Sequence, residues 1–313
     1  MTTRPTILCP VDFSDASLGS LKYARLIAGH FAARMVVLAV EDPLLTEAID
    51  LGTGHIWDAE DTRKELTRFV SRALGDVQQQ DVEHAVAVGK PPEQILKTAQ
   101  EKPCDLIVMS THGLTGVRKM FFGSTTERVL RETTVPVLAT PPAEDVPATM
   151  DQMRASIGRI LVPLDLSAAS IHQVQVARAI SDALRVPFIV TYVVEPVRSP
   201  LAAKLHLPSI ELERKTRAED ALGELLATVP RSLHPEALVA YGDPAEEIAK
   251  VARDRRAGLI VIGLHGSPLL GPRMGSVTYR VLCLTSALVL ALPPRDVPGT
   301  DKPNAEARSF VHK

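Results

Sequence analysis

The sequence predicts an α/β protein, two tandem copies of an open five-stranded parallel sheet with helices on both faces. Three observations carry that expectation. The 313-residue chain repeats itself: "ILCPVDFSDAS" at Ile7 returns as "ILVPLDLSAAS" at Ile160, an offset of 153 residues. Short continuous runs of Val, Ile and Leu alternate with segments of helical periodicity, the pattern of strands covered on both faces. The repeat period is too long for one unit of a solenoid, so a whole domain is duplicated.

Later blocks keep the order of the first. "VGKPPEQILKTA" at Val88 matches "YGDPAEEIAKVA" at Tyr241, and "DLIVMSTHG" at Asp105 matches "GLIVIGLHG" at Gly258, again 153 apart. The offset then falls to 152, with "GSTTERVL" at Gly123 becoming "GSVTYRVL" at Gly275 and "PVLATPP" at Pro136 becoming "LVLALPP" at Leu288.

In the first copy "TILCPV" is a strand, and Ser14 or Asp15 can cap a helix running to about Ala32. "MVVLAV" is the second strand, followed by an irregular stretch from Glu41 to Asp58. Leu66, Phe69, Val70, Ala73 and Leu74 mark one face of the next helix. "VEHAVAV" is strand three, and Pro91-Pro92 opens a helix, since proline suits a first helical turn. "DLIVMS" is strand four, Ser124 to Glu132 a helix, and "PVLAT" strand five. The second copy follows suit, with Leu222, Leu225, Leu226 and Val229 marking its second helix. The expected organisation is a domain over 1–142, a polar linker over 143–157, a domain over 158–294 and a disordered, charged tail over 295–313.

Composition narrows the function. A net charge of −2 argues against a nucleic-acid surface or a polybasic membrane anchor. Aromatic residues make up only 4%, too few for stacking platforms. Cys9, Cys104 and Cys283 are far apart and outside metal-ligand spacing, so they read as core residues in a reducing compartment. His55 with Asp58, and His84, are too sparse a set for a metal site. The start has no signal-peptide pattern and no run approaches a membrane span, so a cytoplasmic protein is expected.

In an open parallel sheet, ligands bind beyond the carboxyl ends of the strands, where the strand order switches direction. Two segments at that end carry chemistry. The loop from Ser110 to Ser124 holds His112 and Gly113, then Gly123, Ser124 and Thr125 at a helix start whose N–H groups and dipole favour an anion. Asp12 follows strand one directly, where a carboxylate can accept hydrogen bonds from sugar hydroxyls. An anion cradle beside a carboxylate points to a nucleotide. The glycines could equally be simple loop formers, yet His265-Gly266 and Gly275-Ser276 recur in the second copy. No Walker Gly-Lys-Ser/Thr occurs.

These blocks together resemble the universal stress protein family, over nearly the whole chain except linker and tail. The resemblance implies a Rossmann-like fold of strand order 3-2-1-4-5 in each copy. It also implies that the two halves pair with each other through their last strands, as two chains do in a family homodimer, with further homo-oligomerisation open. Asp12 and Asp165 would meet the adenosine end of ATP, taken alone or with Mg²⁺, and the backbone of Val40 and Val193 its adenine. The phosphates would fall to Ser110, His112, Gly113, Gly123, Ser124 and Thr125, and in the second copy to Gly263, His265, Gly266, Gly275, Ser276 and Val277. The family's nucleotide-binding members carry G-x2-G-x9-G-[S/T] after strand four. Here the first copy has Ser110 in the first glycine's place, whereas the second keeps every glycine but is one residue shorter and contains Pro268 and Pro272. Tighter binding in the first copy is therefore expected. The leading reading is a nucleotide-binding regulator of the stress response. The alternatives are a slow ATPase or self-phosphorylating protein using Ser124 or Thr125, and an interaction module without nucleotide.

Overall fold

The computed structural model describes residues 4–43, 59–75, 81–111, 123–142, 145–167, 169–196, 208–227, 235–264 and 274–294. Its contacts divide the chain into two compact units, with a boundary between Met153 and Arg154.

The first unit runs β1 (Thr6–Val11), α1 (Asp15–His30), β2 (Arg34–Glu41), α2 (Ala59–Leu74), β3 (Val82–Val88), α3 (Pro91–Glu101), β4 (Leu106–Ser110), α4 (Ser124–Glu132) and β5 (Val137–Thr140). All its described strand pairs are parallel, β3 with β2, β2 with β1, β1 with β4 and β4 with β5, which is the order 3-2-1-4-5. Ile7, Leu8 and Cys9 are completely buried in the central strand, as an apolar strand covered on both faces must be.

Residues 143–157, expected to be a linker, hold a two-turn helix, α5 (Met150–Ile157). Met153 and Ile157 lie one turn apart on it and both are buried, which supplies the packing that so short a helix needs. The second unit continues with β6 (Ile160–Leu164), α6 (Ala169–Leu184), β7 (Phe188–Val194), α7 (Pro208–Ala227), β8 (Glu236–Tyr241), α8 (Pro244–Asp254), β9 (Leu259–Gly263), α9 (Ser276–Leu284) and β10 (Leu288–Leu292). Its described pairs are also parallel and give the same order, β8-β7-β6-β9-β10.

The repeat extends to the backbone. Phe13 (φ 62°) and Leu166 (φ 59°) turn left-handed directly after the two strand-ending aspartates. Ala32 (φ 51°) and Arg185 (φ 56°) do so just after α1 and α6. Gly89 and Gly242 sit at φ 138° and 148°, a region closed to L side chains, which explains the glycine opening the "GKPPEQI" and "GDPAEEI" blocks. Ser14 rather than Asp15 is the N-cap of α1, its Oγ accepting from Ser17 N at 3.1 Å. Cys9 and Cys104 are buried and Cys283 half-buried, all as free thiols. Burial pushes the Cys104 thiol up to about 12, so it is inert at neutral pH.

Candidate functional site

In each unit the candidate site starts from a proline inside a central strand. In β2, Arg34 N donates to Pro5 O on the β1 side, and Met35 N to Asp81 O on the β3 side. Backbone groups of a parallel strand alternate between neighbours in this way. In β1, Thr6 O accepts from Asp105 N, so Thr6, Leu8 and Pro10 address β4. Pro10 has no N–H to offer it. The β1–β4 register accordingly stops at Leu8–Ile107, while β1 runs on to Val11 and β4 to Ser110. The two strands part at their carboxyl ends and leave a crevice at the switch point. Pro163 does the same in the second unit, where the β6–β9 register stops at Leu161–Ile260.

Asp12 stands at the first crevice. Its Oδ1 accepts from Ser14 N (3.1 Å) and from Ser14 Oγ (2.5 Å), which aims the carboxylate while Ser14 caps α1. Phe13 beyond it turns away in its left-handed conformation and packs edge-on against Phe69 of α2, with ring centroids 5.6 Å apart. A non-glycine residue held there costs about 1–3 kcal/mol, and such strain is kept where a neighbouring group must be aimed. Val40 is half-buried and lies one residue past the last β1–β2 rung, Val11–Ala39. By the alternation its carbonyl points toward the β1 side, where β1 has already ended.

Across the crevice, Ser110 is a buried residue at the end of β4 and is not among the described residues with positive φ. Serine here, where the second copy has Gly263, therefore introduces no backbone strain. Thr126 Oγ1 donates to Ser110 O at 2.8 Å, tying the first turn of α4 to the strand end. Gly123, the N-cap of α4, has φ −60° and ψ 128°, and its N–H donates to Thr111 O at 2.9 Å. Gly123 thus meets no left-handed requirement. What it does is leave the α4 start without a side-chain cap, whereas Ser14 caps α1 and Asp243 caps α8. The first N–H groups of α4 are then donors for an external acceptor, with exposed Ser124 and half-buried Thr125 beside them.

The second unit repeats the plan with differences. Asp165 Oδ1 accepts from Ser167 N (2.9 Å) and Ser170 Oγ (3.0 Å), and Asp165 is exposed where Asp12 is half-buried. Val193 is buried one residue past the Leu164–Tyr192 rung. Gly275 (φ −61°) starts α9 without a side-chain cap, and Thr278 Oγ1 donates to Gly263 O at 3.1 Å as Thr126 does to Ser110. Ser276 is exposed and Val277 half-buried. His112, Gly113, His265 and Gly266 lie outside the described residues, as do His55 and Asp58, Pro268 and Pro272, and the expected tail.

Some structural residues were missed by reading the sequence for polar motifs alone. Pro10 and Pro163, at one repeat position inside central strands, were the available signal for the crevice. Thr126 and Thr278 likewise recur at the 152-residue offset. Among the described residues no three His, Cys, Asp or Glu side chains are grouped to hold a metal ion, and no helix is long and apolar enough to cross a membrane. A separate open pocket of about 250 Å³ lies at the opposite, amino end of β1–β3, lined in part by the two-pronged Arg4–Asp81 ion pair.

Fold and geometry together define a tandem α/β protein with a switch-point crevice in each half. Likeness to known proteins agrees. The chain belongs to the universal stress protein family, whose signature matches residues 3–141 and again 156–293. Universal stress protein MJ0531 of Methanocaldococcus jannaschii is 33% identical over 138 residues, covering 42% of this chain and 79% of that protein. Among solved structures, a protein of unknown function from Pseudomonas aeruginosa aligns over 93% of both chains, with TM-score 0.65 and 17% identity. A universal stress protein from Archaeoglobus fulgidus aligns over 92% of this chain and 98% of its own, with TM-score 0.62 and 18% identity. At such identities the two structures speak for the fold alone.

Proposed function

We propose that this universal stress protein binds an adenine nucleotide, ATP in the first instance, in the crevice of its first unit. It would act in the cytoplasm as a regulator, through nucleotide-dependent conformation or choice of partner. The observation that carries the reading is the pairing of opposite chemistries across the gap that Pro10 opens. On one side stand acceptors, the Asp12 carboxylate and the Val40 carbonyl. On the other is a helix start with no side-chain cap, flanked by the hydroxyls of Ser124 and Thr125. A ligand with hydroxyl and amino donors at one end and anionic groups at the other matches that polarity, and a nucleotide is such a molecule. Mg²⁺ would enter with the phosphates, not through a protein cage. Among the described residues neither Ser124 nor Thr125 is paired with a carboxylate or imidazole, so any hydrolysis or self-phosphorylation through them would be slow.

Mass spectrometry of small molecules released by denaturing freshly purified protein tests this directly. An adenine nucleotide is expected in the released fraction. A protein that releases none and shows no heat on titration with ATP would leave the interaction-module reading in its place.

The two halves are further proposed to pair through β5 and β10, so that one chain does the work of a dimer. Each is the last strand in its unit's order, apolar along Val137–Ala139 and Leu288–Ala291, and a bare strand edge invites pairing. Single cysteines introduced into the two strands of an otherwise cysteine-free chain should crosslink within one molecule at high dilution. Purely intermolecular products would rule the arrangement out.

A further inference from the structure

The two crevices differ in what lies beneath them. In the second unit Gln173, on α6, is 2% exposed, and its amide spans the gap between the parted strands. With the amide turned the way that satisfies both backbone groups, its nitrogen donates to Pro163 O at 3.1 Å and its oxygen accepts from Gly263 N at 3.1 Å. Both are backbone groups that the interrupted ladder no longer pairs. Ile160 N donates to Pro187 O on the β7 side, so Pro163 addresses β9 by alternation. Leu264 N donates to Leu292 O on the β10 side, so Gly263 addresses β6. Gln173 thus bridges the rung just beyond the one that Pro163, lacking an N–H, cannot make.

The first unit has Ser20 at that position, and its hydroxyl goes elsewhere, to Ala16 O (3.3 Å) and Thr140 Oγ1 (2.7 Å). Three positions change together between the copies. Ser20, Ser110 and Thr140 in one stand where Gln173, Gly263 and Leu292 stand in the other. Gly263 has no side chain to obstruct the longer amide, and Leu292 has no hydroxyl to draw a polar group toward β10. The set is self-consistent in each unit.

We propose that Gln173 locks the crevice of the second unit shut, and that the identity of the residue at positions 20 and 173 decides which half of the chain takes nucleotide. A side chain bonded to both strand ends holds them at a fixed separation. The first crevice, with no such bridge from residue 20, can widen to admit a ligand. The ligand half of this proposal rests on the adenine-nucleotide reading; the lock itself does not.

The test uses the full-length chain and Gln173→Ser. Amide hydrogen exchange should speed up at Gly263 by about tenfold or more in the variant, with protection in the first unit unchanged. Unchanged exchange at Gly263 would overturn the lock whatever the ligand. Calorimetric titration with ATP should show one site in the native chain and two in Gln173→Ser. One site in a variant whose Gly263 exchange has accelerated would overturn the choice of half. No ATP binding to either chain would sink the adenine reading and leave exchange to judge the lock. If Gln173→Ser does not fold, the reciprocal Ser20→Gln/Ser110→Gly should lose ATP affinity by tenfold or more while its melting transition persists. Native affinity in that chain would overturn the proposal.

Discussion

Asp12→Ala is expected to lower the affinity for ATP about ten- to a hundredfold. The change removes a charge-assisted hydrogen bond to the ligand, worth about 1.5–3 kcal/mol. The fold should survive, because Asp12 is half-buried at a strand end and not part of the apolar core. One structural cost accompanies the change. Asp12 Oδ1 holds both N and Oγ of Ser14, and Ser14 caps α1. Loosening that cap costs at most about 1 kcal/mol of stability, visible as a small shift of the melting temperature. Asp12→Asn separates the two effects. Its amide oxygen can still accept from Ser14, so stability should stay native while the charge is gone and ATP binding falls. Calorimetry on the three chains decides; unchanged ATP affinity in Asp12→Ala would remove Asp12 from the site.

Much of the fold was legible because the chain states it twice. The "TILCPV" strand is Thr6–Val11 without adjustment, and the helix from Ser124 to Glu132 has the expected bounds. Pro91 opens α3 as its position predicts, and the Leu66 to Leu74 stripe falls within α2. The predicted end of α1 near Ala32 is close for a physical reason: Ala32 is left-handed and cannot extend the helix. α5 escaped because it is short and half polar, although Met153 and Ile157 carried a weak one-turn signal.

The candidate residues around the crevice were legible in the sequence, the cause of the crevice much less so. Motif spacing pointed to Asp12, Ser110 and the Gly123-Ser124 helix start, and Gly123 sits there with an ordinary φ of −60°. The crevice itself depends on which side of a strand each peptide group faces. That is a register property, and it became readable only once β1 and β4 were seen to part after Leu8–Ile107. Gln173 had no motif around it at all. A lone glutamine on a helix is ordinary until its two partners, Pro163 and Gly263, are brought to it by different strands.

Gly258→Ala is expected to be the most damaging single-methyl change in the second unit. Strand β9 begins one residue later, and the last turn of α5 crosses directly over Gly258. A Cβ there would lie 2.2 Å from Ser156 O, 2.8 Å from Ile157 Cα and 3.0 Å from Ile157 O. All three are backbone atoms, so no side chain can rotate to make room. The glycine backbone is also held from two directions, its N–H donating to Ile157 O at 2.8 Å and its carbonyl accepting from Leu288 N at 3.0 Å. Relief therefore requires lifting the end of α5 or breaking the entry to β9. The first unit shows that the repeat itself does not demand glycine. Asp105 occupies the equivalent place, with Oδ2 accepting from Thr6 N at 2.8 Å. Burial raises the pKa of that carboxyl, with the Thr6 hydrogen bond opposing. The requirement at 258 comes from α5 alone. Overpacking against fixed backbone should cost about 3 kcal/mol or more. For a unit of this size that lowers the melting temperature by about 10 °C. Scanning calorimetry of the full chain should show a second-unit transition displaced downward, with ATP binding in the first unit retained. A native melting profile would mean that α5 does not pack over the start of β9.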